Sequence, residues 1–388
     1  MNLSKLALNL GQSATLKLNE LANNLKAEGK PVIHLGGGEP EEKIPVGAAA
    51  ETKKMAEAGY VRYTPTSGTA ALKKEIAAYT GQYYGVDPAA GNLVVASGAK
   101  QAIYNFLVAV LDPGDEVIFP APYWVSYPEM VSLAHGEPVQ VRPRDGSLLV
   151  TAKDIESAIT GHTKAILLNS PNNPSGQVYP GEFVRELVEI CERRNIYLLM
   201  DDIYNRLVFD GLKAPSAFSF SKRPLDESVI VSVNGVSKTF SMTGYRIGWS
   251  VANAALTQAM VKVQAQISSC PSALSQAAAA GALREVGGFV ETLRRGLEKK
   301  HDGMVAELSK LKKVKLQKPQ GTFYSFPDFS AYEPDSRKLS ALLLEKALVA
   351  AVPGVEFGLE GHLRLSYCGA EKDIVEGVSR IRKTLDGE

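Results

Sequence analysis

Between residue 92 and about residue 252 the chain alternates short, strongly apolar runs with longer amphipathic stretches. NLVVAS (92–97), EVIFP (116–120), KAILLNS (164–170), IYLLMDDIY (196–204), SVIVSVNGV (228–236) and YRIGWSVA (245–252) have the length and composition of strands. GAKQAIYNFLVAVL carries a helical apolar stripe that stops at Asp112-Pro113-Gly114. PGEFVRELVEICERRN is amphipathic, with Pro180 near its start. Strands this apolar, separated by helices, predict an α/β fold whose mainly parallel sheet is covered by helices on both faces. Ligands of such sheets bind beyond the carboxyl ends of the strands. The unusual polar residues all fall at such ends: Ser97, Asn173, Asp201, Tyr204 and Lys238.

The last hundred or so residues follow another pattern. A long helical region from about Gly287 to Leu311 precedes the apolar runs VKLQKP, GTFYSFPDF and HLRLSYC, read as strands, with helices SRKLSALLLEKA and AEKDIVEGVSRIRKTL. This predicts a smaller α+β domain. The first 45 residues precede the main alternation and are expected to join it. The expected division is 46–290 for a large domain, and 1–45 plus 291–388 for a small domain with an N-terminal arm. A chain of 388 residues suits two domains, and 45% hydrophobic residues can fill both cores.

The net charge of +1 argues against nucleic acid or an anionic membrane as the main partner. No stretch reaches the roughly 18–20 apolar residues of a spanning helix. The N-terminal stretch lacks the continuous apolar core of a signal peptide. Cys191, Cys270 and Cys368 are far apart and odd in number, which suits buried thiols in a reducing compartment. The cytoplasm is the expected location.

Each candidate stretch alone admits two readings. Ser97-Gly98-Ala99-Lys100 formally matches the Ser-x-x-Lys of penicillin-recognising serine enzymes, but their companion motifs are missing. It also fits a small-residue turn whose helix N-terminus faces an anion, or a turn that binds nothing. Asp201-Asp202-Ile203-Tyr204 ends a strand, with one carboxylate expected to face solvent. The five histidines are scattered without metal-ligand spacing, so no catalytic metal is expected. Asn173 stands in a turn that favours asparagine anyway. Gly36-Gly37-Gly38 fits a close backbone approach or a flexible corner. Arg364 lies between Leu363 and Leu365, so it faces solvent if they pack inward, or receives a carboxylate if its own face lines a cleft.

Taken together, LGGGEP, YTPTSGT, SGAKQA, PAPYWVSYPE, NSPNNPSG, DDIY, SKTFSMTGYRIG and HLRLSY, in this order, resemble the class I pyridoxal-phosphate (PLP) aminotransferases of fold type I, close to the bacterial aspartate aminotransferase subgroup. The resemblance runs over nearly the whole chain. It implies a seven-stranded sheet and a homodimer. It also implies that Lys238 joins the cofactor aldehyde, that Arg246, Gly98 and Ala99 hold its phosphate, and that Ser237 is a cofactor contact. Asp201 matches the partner of the pyridine nitrogen, Tyr204 and Asn173 the partners of the ring 3′-oxygen, and Trp124 the aromatic stacked on the ring. Tyr63 resembles the tyrosine that reaches the neighbouring subunit's phosphate. Gly38, Arg364, Asn173 and Trp124 match substrate contacts. Lys100 and Thr15 match residues associated with a dicarboxylate substrate.

The residue types suit that chemistry. A primary amine attacks an aldehyde only when unprotonated, and desolvation with nearby positive charge lowers its pKa. An ionised Asp201 keeps the pyridine nitrogen protonated, so the ring accepts electrons. A permanent charge at Arg246 binds phosphate without competing for the aldehyde. Aspartate with 2-oxoglutarate is the expected substrate pair, by a ping-pong mechanism. Gly11-Gln12 stands where prephenate-active members often carry Lys-Pro, and Glu41–Val46 departs from the usual entrance sequence. Aromatic, alanine or other neutral donors, prephenate, and carbon–sulfur lyase chemistry are the alternatives. A more remote one is a non-catalytic PLP-sensing regulator. Those proteins carry an N-terminal DNA-binding domain, and the residues before Gly36 have no basic patch.

Overall fold

The computed structural model describes residues 3–11, 14–144 and 146–387. A short strand β1 (Ile33–His34) precedes the main sheet of β2 (Leu93–Ala96), β3 (Glu116–Pro120), β4 (Glu137–Val141), β5 (Thr163–Asn169), β6 (Tyr197–Asp201), β7 (Ile230–Gly235) and β8 (Gly248–Val251). Its strand order is β2-β8-β7-β6-β5-β3-β4. All pairings are parallel except those of β8, which runs against both β2 and β7.

The period-2 alternation of the apolar runs explains why both faces are covered. Leu167, Leu199, Val231 and Val233 pack on one face with helices Ala99–Val110 and Ala254–Ile267. Leu168, Leu198, Met200 and Ile230 pack on the other, against Val184, Leu187 and Val188 of helix Gly181–Arg194. That helix buries its apolar stripe and ends at Asn195, in the left-handed conformation that asparagine tolerates.

Two expectations from the sequence change. β4, EPVQV, supplies the seventh strand but was not legible as one. It is a sheet edge, largely exposed and with Pro138 near its start, so it carries no apolar signature. VKLQKP is not a strand. It contributes one isolated bridge, Lys315 to Asp328, and stops at Pro319. Val314 and Leu316 still pack on the core, so the alternation reported burial rather than pairing.

The remaining strands are β9 (Tyr324–Ser325), β10 (Val349–Ala350), β11 (Val352–Pro353) and β12 (Leu363–Ser366). They form the sheet β11-β12-β9, and β10 pairs in parallel with β1. Leu18, Ala22 and Val32 pack with Phe326, Val352 and Phe357, so the early residues lie against the C-terminal strands. Helices Val286–Leu308 and Glu371–Asp386 pack against each other on this side. Cys191 and Cys368 are buried, whereas Cys270 is partly exposed. Among the described residues no helix is long and apolar enough to cross a membrane.

Candidate active site

A cavity of about 710 Å³ opens at the carboxyl ends of the parallel strands. Asn169 closes β5, Asp201 closes β6, and Lys238 follows the end of β7 by three residues. Asn169 ties this edge together: its Nδ2 donates to the Asp201 carbonyl at 2.8 Å, and its Oδ1 accepts the Asn173 N–H at 2.7 Å. It therefore orients the turn that carries Asn173. It is the first residue of NSPNNPSG, but nothing in the sequence assigned it a role.

Lys238 Nζ donates to the Gly38 carbonyl at 2.7 Å. Burial lowers its pKa to about 8. Glu39 and Cys368 oppose the shift, while Arg364 and Arg246 add to it. An amine in this state is neutral in an appreciable fraction near neutral pH. Asp201 Oδ2 accepts the Tyr127 hydroxyl at 2.6 Å, and Oδ1 accepts a longer bond from the Ile203 N–H at 3.4 Å. Burial raises the Asp201 pKa to about 6, against the Tyr127 and Ile203 hydrogen bonds and the Lys238 charge.

The expectation that one of the paired carboxylates faces solvent is overturned. Asp202 is 5% exposed and accepts the Ser232 hydroxyl at 2.6 Å. Burial pushes its pKa up to about 7. Its chain alternates to the other side of β6 and meets a closed polar network around Tyr84, Asn205 and Asn234, a tertiary arrangement that the sequence does not announce.

A cationic cradle forms where β8 meets the turn after β2. Helix Ala99–Val110 begins there with no side-chain cap, leaving its first N–H groups for an anion. Gly98 has φ 93°, and a Cβ on it would run into Arg246 Nη2. A Cβ on Gly248 would collide with the backbone of Gly98 and Ala99. Arg246 itself holds φ 54°, a conformation that a non-glycine residue keeps only when its surroundings enforce it. Its Nη1 donates to the Thr243 carbonyl at 3.0 Å and lies 3.5 Å from Ser237 Oγ. Ser97 uses its N–H on Gln101 Oε1 at 2.7 Å and is not among the cavity residues. Lys100 stands exposed at the rim, 4.7 Å from the Trp124 ring, and partial burial and Arg246 lower its pKa.

Arg364 is 3% exposed, so the solvent-facing reading is overturned. Its Nη1 donates to Asn173 Oδ1 at 3.1 Å and its Nη2 to the Gly36 carbonyl at 2.9 Å. Its Nε is buried without a partner, an arrangement that a ligand carboxylate would complete. The guanidinium lies between Tyr324 and Phe357, 4.3 and 5.0 Å from their rings. Tyr204 is buried beside Tyr324, and a Cβ on Gly38 would come within 3.0 Å of the Tyr324 hydroxyl. Tyr324 lies outside the ordered motifs, and Tyr127 lies within PAPYWVSYPE, where nothing in the sequence assigned it a role.

Gly38, Ala99, Lys100, Trp124, Asn173, Asp201, Tyr204, Ser237, Lys238, Arg246 and Arg364 thus share one cavity, with Gly98 packed behind it. Tyr63 does not: it is 93% exposed on a surface that also shows Tyr60 and Val61. Gln12 and the Thr15 side chain lie outside the described residues.

The family model described as "Aminotransferase class I and II" matches residues 30–381. The probable aspartate/prephenate aminotransferase of Aquifex aeolicus is 37% identical, over 97% of this chain and 97% of its own. The aspartate aminotransferase of Geobacillus stearothermophilus is 37% identical, over 100% of this chain and 99% of its own. Among solved structures, an aspartate aminotransferase of Rhizobium meliloti has a TM-score of 0.94 at 36% identity, covering 100% of this chain and 99% of that one. The Thermus thermophilus aspartate aminotransferase with maleate has a TM-score of 0.94 at 34% identity, covering 99% and 100%.

Proposed function

The chain belongs to the class I and II aminotransferases and is a PLP-dependent transaminase of fold type I; from that premise we propose that its donor is L-aspartate and its acceptor 2-oxoglutarate. One observation carries the reading of the site: a single cavity holds a buried amine, a buried carboxylate and two guanidiniums. Each fits a different part of the cofactor or substrate. For a dicarboxylate in particular, Arg364 and Lys100 provide two cationic ends. The Thermus relative was solved with maleate, a four-carbon dicarboxylate.

The residues fit the cofactor. Lys238 would hold its aldehyde carbon, and Arg246, Ser237 and the Ala99 N–H its phosphate, with Gly98, whose N–H donates to the Ala96 carbonyl at 2.8 Å, letting the backbone approach closely. Asp201 would face the pyridine nitrogen, Asn173 and Tyr204 the 3′-oxygen, and Trp124 the ring. When bound, the cofactor supplies an amino-group acceptor and a ring that takes up the electrons released as the substrate Cα–H breaks. Lys238, once free, takes the proton from Cα. Arg364, with Asn173 and the Gly38 N–H, orients the substrate carboxylate so that the Cα–H faces that amine. The first product leaves as a 2-oxo acid before the second oxo acid enters.

We read 46–290 as the cofactor-binding unit and 1–45 plus 291–388 as a second unit, supported by the β1–β10 pairing. A cytoplasmic homodimer in which Tyr63 reaches the partner's phosphate completes the proposal, supported by the exposure of Tyr63. A second reading, prephenate as acceptor, is favoured by the name of the Aquifex relative. A panel of amino donors against 2-oxoglutarate, oxaloacetate and prephenate tests both. Highest kcat/KM with aspartate and 2-oxoglutarate is expected. A neutral donor preferred by tenfold, or keto-acid release without any acceptor, would refute the assignment.

A further inference from the structure

We propose that Tyr127 is a positioning residue for the cofactor ring: its hydroxyl holds the Asp201 carboxylate in place for the ring nitrogen, while its own ring braces Trp124. The proposal rests on the reading of Asp201 given above. Tyr127 is the second residue of helix Ser126–Leu133, whose N-cap Val125 follows Trp124. Its hydroxyl lies 2.6 Å from Asp201 Oδ2, and both residues are buried, at 1% and 3% exposure. The Trp124 ring meets the Tyr127 ring edge-on, at 5.5 Å and 90°. One side chain therefore touches two of the groups that would surround the cofactor ring.

The direction of the hydrogen bond is determined. Burial and the Asp201 charge push the Tyr127 pKa well above its ordinary value, so the tyrosine keeps its proton and donates. Among the contributions that favour the ionised carboxylate, the Tyr127 bond is the largest, ahead of the Ile203 N–H and the Lys238 charge. Asp202 and Tyr204 are the other titratable groups facing this pair. A hydrogen bond to a charged oxygen in a dry site is strong and directional. It takes up Oδ2, while the long 3.4 Å bond from Ile203 leaves Oδ1 with acceptor capacity for a ring N–H. Without the hydroxyl, the carboxylate would lose its anchor and part of its preference for the ionised form.

The experiment titrates apoenzyme with PLP and with its carbon analogue, in which a C–H replaces the ring nitrogen and the aldehyde and phosphate are kept. Wild type is expected to favour PLP. Tyr127→Phe is expected to lose about tenfold to a hundredfold of PLP affinity, with under threefold change for the analogue. In an Asp201→Asn background the same change should cost less than twofold. Equal losses for both ligands would mean that Tyr127 is merely structural, and unchanged PLP affinity would sink the proposal. If wild type binds both ligands equally, the Asp201 reading itself fails, a result distinct from the other two. Should Tyr127→Phe not fold, 3-fluorotyrosine in place of Tyr127 keeps the packing and strengthens the donor. The PLP-to-analogue ratio should then rise at least twofold, and an unchanged ratio would count against the proposal.

Discussion

Lys238 shares its cavity with Lys100, Arg246 and Arg364, and burial does most of the work of lowering its pKa to about 8. Its neutral fraction grows as pH rises, so the rate at which apoenzyme captures PLP should increase through about pH 8 and then level off. Stopped-flow absorbance checks this, and borohydride should fix the cofactor to Lys238. Arg364 was readable as a residue type but not as a direction. A strand with leucines on either side leaves open whether the arginine faces solvent or a cleft, and only the packing around both faces places it inward. Arg364→Leu should raise KM for aspartate and 2-oxoglutarate about a hundredfold, with PLP affinity nearly unchanged, because it removes a charge-assisted carboxylate contact. Asp202 carries a linkage prediction. Its folded pKa, about 7, lies above the ordinary carboxyl value, so the folded state favours the neutral acid. Its contribution to stability is present at low pH and is lost as pH rises from about 4 through 7. Asp202→Asn should flatten the apoenzyme's stability over that window by on the order of 2–4 kcal/mol. Urea unfolding at several pH values measures it, and Asp201, also raised, accounts for any residual slope.

At the scale of elements, the apolar runs of the sheet interior were legible because a strand buried on both faces must be apolar throughout. Edge strand β4 and the segment VKLQKP were not, because exposure and partner availability decide them rather than composition. The reversed strand β8 shows the same division. YRIGWSVA announces a strand, yet its direction and its contact with the Gly98–Ala99 turn arise from the sheet. Gly248→Ala should push that turn away from β8, since the added methyl meets backbone atoms that cannot swing aside. A loss of about 1–3 kcal/mol in stability is expected, together with weaker PLP binding. Thermal melting of apoenzyme and PLP titration would reveal it. If both are unchanged, the close approach has no consequence.

For the whole molecule, the residues before 45 return to pair with strands more than 300 positions later, as Ile33 does with Val349. The assembly is the larger question. Val46, Tyr60, Val61 and Tyr63 are all exposed, which suits a surface covered by a second copy. Sedimentation should give twice the chain mass. Tyr63→Phe should leave that mass unchanged while weakening PLP binding about tenfold, since it removes one hydrogen bond to a charged group. The sequence by itself determined the sheet interior, the family and the residue types of the site, because burial periodicity and ordered motifs are local in the chain. Only the tertiary structure decided that Arg364 turns inward, that Asp202 is buried and that Tyr127 and Asn169 hold the ends of β5 and β6. Those outcomes depend on which distant backbones and side chains close around each group, and burial from several directions at once leaves no pattern along the chain.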